Sequence, residues 1–176
     1  MKLHRLVLPL LLVLFAGCAK TPPALESVET AKAQAQQLSG AIMQLSGEGD
    51  RNEANLIARV AVNASAKLFE AYRVTAIPRL HNMMVGMGLR ERGLCYHWAD
   101  DLQAELEKLE VRHYAFHAAV ANRGSYYFEH SSVVLTVKDQ PFGSGLVLDA
   151  WRHSGNLYWV EVGEDEYEWE AWNKAQ

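Results

Sequence analysis

The sequence predicts an α+β domain, with helices first and a run of neighbouring antiparallel strands after them. Three observations carry that prediction. Apolar residues recur at three- and four-residue steps in the segments before Glu110. From His113 onward the period shortens to that of extended chain, in four runs rich in Val, Tyr, Phe and Trp. The 176 residues, 49% hydrophobic and 22% charged, are enough to enclose one core of ordinary composition.

The N-terminus stands apart from that domain. Lys2 and Arg5 precede an apolar run, Leu6 to Ala16, interrupted only by Pro9. The run is shorter than the roughly 20 residues a bilayer span needs and fits the core of a secretory signal. It ends in "LFAGCAK", which resembles a bacterial lipoprotein signal. That resemblance implies removal of residues 1–17 and lipidation of Cys18, with ordinary cleavage near Ala19 as the competing reading. The expected location is the bacterial cell envelope, with the membrane as a partner through the lipid anchor. Loss of Lys2 and Arg5 leaves 15 basic against 21 acidic residues, so the formal charge moves from -4 to -6. No basic footprint for nucleic acid is present.

Residues 18–50 read as anchor and helical spacer, and residues 51–176 as a single α+β domain. After Pro22 and Pro23, Leu25, Val28, Ala35, Leu38, Ile42 and Leu45 trace a helical stripe that "SGEGD" terminates. Its Ala/Gln content suits a solvated spacer, whereas the stripe suits docking on the domain. A second helix is predicted from about Asn52 to Tyr72, with Leu56, Val60, Ala64, Leu68 and Tyr72 on one face. Pro78 stops its extension, and "RLHNMMVGMG" suggests a further short helix. A helix from about Leu94 to Glu110 places Cys95, Trp98, Ala99, Leu102, Leu106 and Leu109 on one face. The extended runs are "HYAFHAAVA", "EHSSVVLTV", "GLVLDAW" and "LYWVEV", which give an approximately four-stranded sheet. The acidic tail "GEDEYEWEAWNKAQ" reads as a terminal flap or short helix.

Cys95 raises the functional question. As a small hydrophobe in the first turn of an apolar stripe it has an ordinary structural explanation. Three features weigh against that account. A helix N-terminus offers unpaired N–H groups and a partial positive charge, which stabilise a thiolate. Exported chains pair their cysteines, and if Cys18 carries lipid, Cys95 has no partner within the chain. Downstream, His130 opens one predicted strand and Asp149 closes the next. A thiol needs a base, and the base needs an acceptor to fix its tautomer. Alternation puts His130, Ser132 and Val134 on one face, with Val147 and Asp149 on the same face of a neighbouring strand. If the Cys95 helix packs on that face, the three groups converge.

These residues resemble the transglutaminase-like branch of the papain-like cysteine proteases. The shared pattern is Gly-x-Cys opening a helix, His opening a strand and Asp ending the next: "GLCYHWADDL", "EHSSVVL" and "VLDAW". The separations of 35 residues (Cys95 to His130) and 19 (His130 to Asp149) are similar to those of compact members. The match runs from Arg92 to Val162, about two fifths of the chain. It departs from the family at Ser131 and Ser132, where an aromatic is common after the histidine, and at "DAWRHSG".

The resemblance implies a papain/transglutaminase-like core and a Cys95–His130–Asp149 triad that acts on an amide through a thioester. The implied activities are those of a cysteine peptidase, an amidase or an acyltransferase, on a peptide or protein substrate in the envelope. No cofactor or metal is called for. The Cys95 N–H is the expected oxyanion donor, with His97, Trp98 and Trp151 as candidates for the second. The alternative is a catalytically silent lipoprotein acting as a binding or structural module.

Other signals are weaker. Among seven histidines, His117 is the main rival to His130 and His153 a lesser one, while His113 reads as a sheet residue. A zinc site from Cys95, His97, His130 and Asp149 lacks paired-ligand spacing. "GLRERG" has no phosphate-loop ending. Trp151, Trp159, Trp169 and Trp172 read first as sheet packing.

Overall fold

The computed structural model describes residues 28–45, 47–75, 77–125 and 127–173. The signal segment 1–17 and Cys18 lie outside the described residues. Among the described residues, four α-helices precede five strands: α1 (Val28–Ile42), α2 (Arg51–Ala71), α3 (Pro78–Gly86), α4 (Cys95–Glu107), β1 (Tyr114–Ala121), β2 (His130–Val137), β3 (Leu146–Asp149), β4 (Tyr158–Glu161) and β5 (Trp169–Ala171). None of these helices is long and apolar enough to cross a membrane. The architecture is α+β, with one antiparallel sheet in the order β4-β3-β2-β1-β5.

The strand count corrects the sequence reading from four to five. The tail forms neither a flap nor a helix at Trp169–Ala171; it pairs with Ala119–Ala121 on the outer side of β1. Three residues are too few to show an alternation, so the pairing was invisible until the β1 edge was in place.

The first helix docks. Leu38 and Ile42 are fully buried, and Gln34 Nε2 donates to Asn156 Oδ1 at 2.7 Å and to the Leu157 carbonyl at 2.9 Å. In α2, Asp50 caps the N-terminus by accepting from Glu53 N at 2.8 Å. The Glu53 carboxylate accepts the N–H groups of Arg112 and His113, both at 2.9 Å, and so fixes where β1 begins. The inward face of α2 is centred on Ala54, Ile57, Ala58, Ala61, Val62 and Ser65, whereas Leu56, Val60 and Leu68 are only half-buried. Small side chains let α2 pack closely against both α1 and α4, which displaces the larger residues to its flanks.

Side-chain parity sorts the sheet into two faces. Val133, Leu135, Val137, Leu146 and Leu148 join the helices in the main core, together with Trp98, Leu102 and Leu106 of α4. Ala119, Val134 and Val147 face the other way and form a smaller cluster with Phe142, Val160, Val162 and Trp169.

Candidate active site

The turn into α4 is built around a histidine. Gly93 has φ +124, and a Cβ there would lie 2.2 Å from Nε2 of the buried His81, so the position requires glycine. The His81 Nε2 is 2.9 Å from the Arg92 carbonyl oxygen. The indole N–H of Trp98 donates to the Gly93 carbonyl at 3.0 Å. His97 Nδ1 accepts the backbone N–H groups of Gly93 and Leu94 at 3.1 and 3.2 Å. With Leu94 as N-cap, Cys95 is the first residue of the helix, half-buried, where N–H groups lack intrahelical acceptors.

His130 is the first residue of β2 and Asp149 the last of β3, both nearly completely buried. The His130 Nε2–H donates to Asp149 Oδ2 at 2.6 Å. The Cys95 thiol interacts electrostatically with the same ring and helps hold its proton, and its sulfur lies 3.8 Å from the Glu129 carbonyl oxygen. Since Nε2 is committed to Asp149, Nδ1 is the nitrogen left for the thiol. Cys95, His130 and Asp149 therefore come together.

They do so without the condition supposed from the sequence, that α4 packs on the His130 face. Helix α4 packs on the face bearing Val133 and Leu135, opposite the face to which His130 belongs. Thiol and imidazole meet at the end of the sheet, because each opens its own element.

The electrostatics favour a charged ring. Burial alone would push the His130 pKa down, but the bonds from Asp149 and Cys95 outweigh it and raise it to about 9. Burial likewise opposes ionisation of Asp149, yet His130 and Arg152 hold its carboxyl below the usual range. Oδ1 accepts the N–H groups of Trp151 and Arg152 at 3.0 and 2.9 Å, and Oδ2 also accepts Arg152 Nε at 3.1 Å.

Sequence reasoning missed the surroundings of the pair. Arg152 forks onto Asp165 through both terminal nitrogens, at 3.0 and 2.9 Å. Its guanidinium lies over the rings of Tyr158 and Tyr167. Trp151, Tyr167 and Trp169 surround the imidazole with centroids at 4.9, 5.0 and 5.4 Å. The available signal was an arginine three residues after an aspartate assigned to a buried site.

The rivals are placed elsewhere. His117 Nε2 is 2.9 Å from Thr136 Oγ1 and the ring stands edge-on to Phe142; burial lowers its pKa. His113 pairs with Glu53, and His153 stands edge-on to Tyr158. Ser132 Oγ donates to the Leu148 carbonyl, while Ser131, Tyr96, Glu129 and Trp172 line a cavity of about 250 Å³ beside the thiol's neighbours. The three side chains considered as second oxyanion donors have other commitments: His97 caps α4, Trp98 holds Gly93, and Trp151 Nε1 donates to Asn82 Oδ1 at 3.2 Å. Among the described residues, no group of three or more His, Cys, Asp or Glu is arranged around a metal position.

No family model, curated protein or solved structure matches the chain.

Proposed function

We propose that the chain is an envelope lipoprotein with a transglutaminase-like, papain-related core whose Cys95 performs acyl chemistry on an amide. The observation that supports this reading most directly is the single imidazole of His130, held by Asp149 at 2.6 Å and coupled electrostatically to the Cys95 thiol.

In the proposed reaction the Cys95 thiol gives its proton to His130 Nδ1, the sulfur attacks the amide carbon, and the carbonyl π electrons move to oxygen. The Cys95 N–H at the helix start faces the growing negative charge. The tetrahedral adduct collapses, the C–N bond breaks, and His130 Nδ1 gives its proton to the leaving amine. Water or a second amine then attacks the thioester, His130 takes the incoming proton, and the sulfur leaves. Asp149 orients the ring and stabilises its cationic form throughout. A peptide or protein of the envelope is the substrate class this chemistry fits, and lipid on Cys18 would provide the membrane attachment.

The test is alkylation of Cys95 by iodoacetamide in a Cys18→Ser background, so that one thiol reports. At pH 6 the unaltered site is expected to react at least about 10-fold faster than its His130→Ala counterpart. Equal rates would overturn the reading and leave the silent binding module. Attachment is tested separately: Cys18→Ser should move the protein from the membrane fraction to the soluble one, and unchanged sedimentation would overturn lipidation.

A further inference from the structure

The groups around Arg152 do more than fill space. Asp149, Asp165, Arg152 and His130 form a connected cluster in which two carboxylates face one guanidinium and one imidazole. The Asp165 side chain is completely buried and that of Arg152 only 13% exposed. Asp165 accepts four donors: both terminal nitrogens of Arg152, the Trp169 indole N–H at 2.9 Å and the Tyr167 N–H at 3.4 Å. Residues 165–169 thus run as a strap across the imidazole, and β5 anchors the strap's far end to β1, where Trp169 stands opposite Ala121 and Ala121 opposite His130.

We propose that Arg152 and Asp165 are positioning residues for the Cys95 chemistry. Through Arg152, Asp165 sets the orientation of Asp149 and the protonation of His130, so the site depends on the tail. This rests on the functional reading above. Geometry carries the first half: Oδ2 of Asp149 is shared by His130 and Arg152, and Arg152 is itself held in place by Asp165. Charge carries the second. With His130 protonated the cluster of four sums to zero; with His130 neutral it holds a net negative charge away from water, which is costly. Without the Asp165 charge, Asp149 and Arg152 balance each other and the ring no longer needs its proton. The other groups facing the ring are Cys95 from α4 and Tyr167 from the strap. Glu166 is exposed and 4.0 Å from Arg152, and Arg79 of α3 acts on Tyr167. None replaces Asp165 in the balance.

The experiment uses the full mature chain with Cys18→Ser and three further variants: Asp165→Asn, Arg152→Lys and Trp169→Phe. The last leaves every charge in place and removes one donor to Asp165, so it reports even if the first fails to fold. The readouts are the NMR titration of His130 and the pH profile of Cys95 alkylation, with circular dichroism to check folding. Asp165→Asn is expected to move the His130 midpoint down by roughly one pH unit or more. The pH profile of Cys95 alkylation should shift with it by a comparable amount. Trp169→Phe should move both in the same direction by less, and Arg152→Lys should slow alkylation with the net charge unchanged. Folded Asp165→Asn or Trp169→Phe protein with both readouts unmoved would overturn the strap's role. That outcome is separable from failure of the functional reading, in which alkylation already ignores His130→Ala.

Discussion

Replacing Asp149 by Asn tests the buried pair directly, because it changes one atom and no volume. The substituted amide would keep an oxygen for the N–H groups of Trp151 and Arg152, now accepted at 3.0 and 2.9 Å. Its NH2 would then occupy the place of Oδ2, facing the His130 Nε2–H and Arg152 Nε–H at 2.6 and 3.1 Å. Two charge-assisted hydrogen bonds become donor–donor contacts. At about 1.5–3 kcal/mol each, the expected loss is about 3–5 kcal/mol, the range typical of breaking one partner of a buried pair. The pH dependence has a definite sign. A rise in the His130 pKa from 6.5 to about 9 corresponds to about 3 kcal/mol of stability. That contribution is fully present below pH 6.5 and is lost as pH rises through 9. The Asp149 carboxyl is held below its ordinary 3.8, so its contribution is present above that value and is lost on further acidification. Urea unfolding should therefore show the largest deficit of Asp149→Asn near pH 5–6 and a smaller one above pH 9. A deficit below about 1 kcal/mol at pH 5.5, or a wild-type His130 that titrates at or below 6.5 by NMR, would refute the argument.

Three further outcomes are expected. Leu38→Ala should cost about 2–5 kcal/mol in urea unfolding, since the side chain is fully buried; a loss under 0.5 would mean that α1 is a solvated spacer. Gly93→Ala should lower stability by at least about 1–3 kcal/mol, because its Cβ meets His81 at 2.2 Å and its φ is +124; thermal melting near wild type would contradict this. Trp98→Ala should cost about 3–5 kcal/mol, read by urea denaturation, since it empties the core under Cys95 and frees the Gly93 carbonyl.

What the sequence revealed of the site depended on where its residues stand. Cys95, His130 and Asp149 each occupy the end of an element, and ends are announced by glycine, by a change of period or by a turn. Arg152, Asp165 and Tyr167 have no such local mark. Their meaning comes from contacts between separate segments that only the tertiary fold, with β5 paired on β1, brings together. The same limit explains α2, where the conspicuous leucines lie on the flanks and alanines make the close contact. It also explains why the side on which α4 packs stood only as a condition: alternation orders side chains along a strand but does not say on which side a helix will lie.

The docking of α1 bears on where such a site would work. Because Gln34, Leu38 and Ile42 join α1 to the domain, the part of the 18–50 segment from Val28 onward is packed on the folded body and is not a solvated spacer. On the lipoprotein reading, ten residue steps separate the acylated Cys18 from Val28, a reach of at most about 35 Å at full extension. The folded domain would begin within that distance of the leaflet, and its targets would have to come to it there.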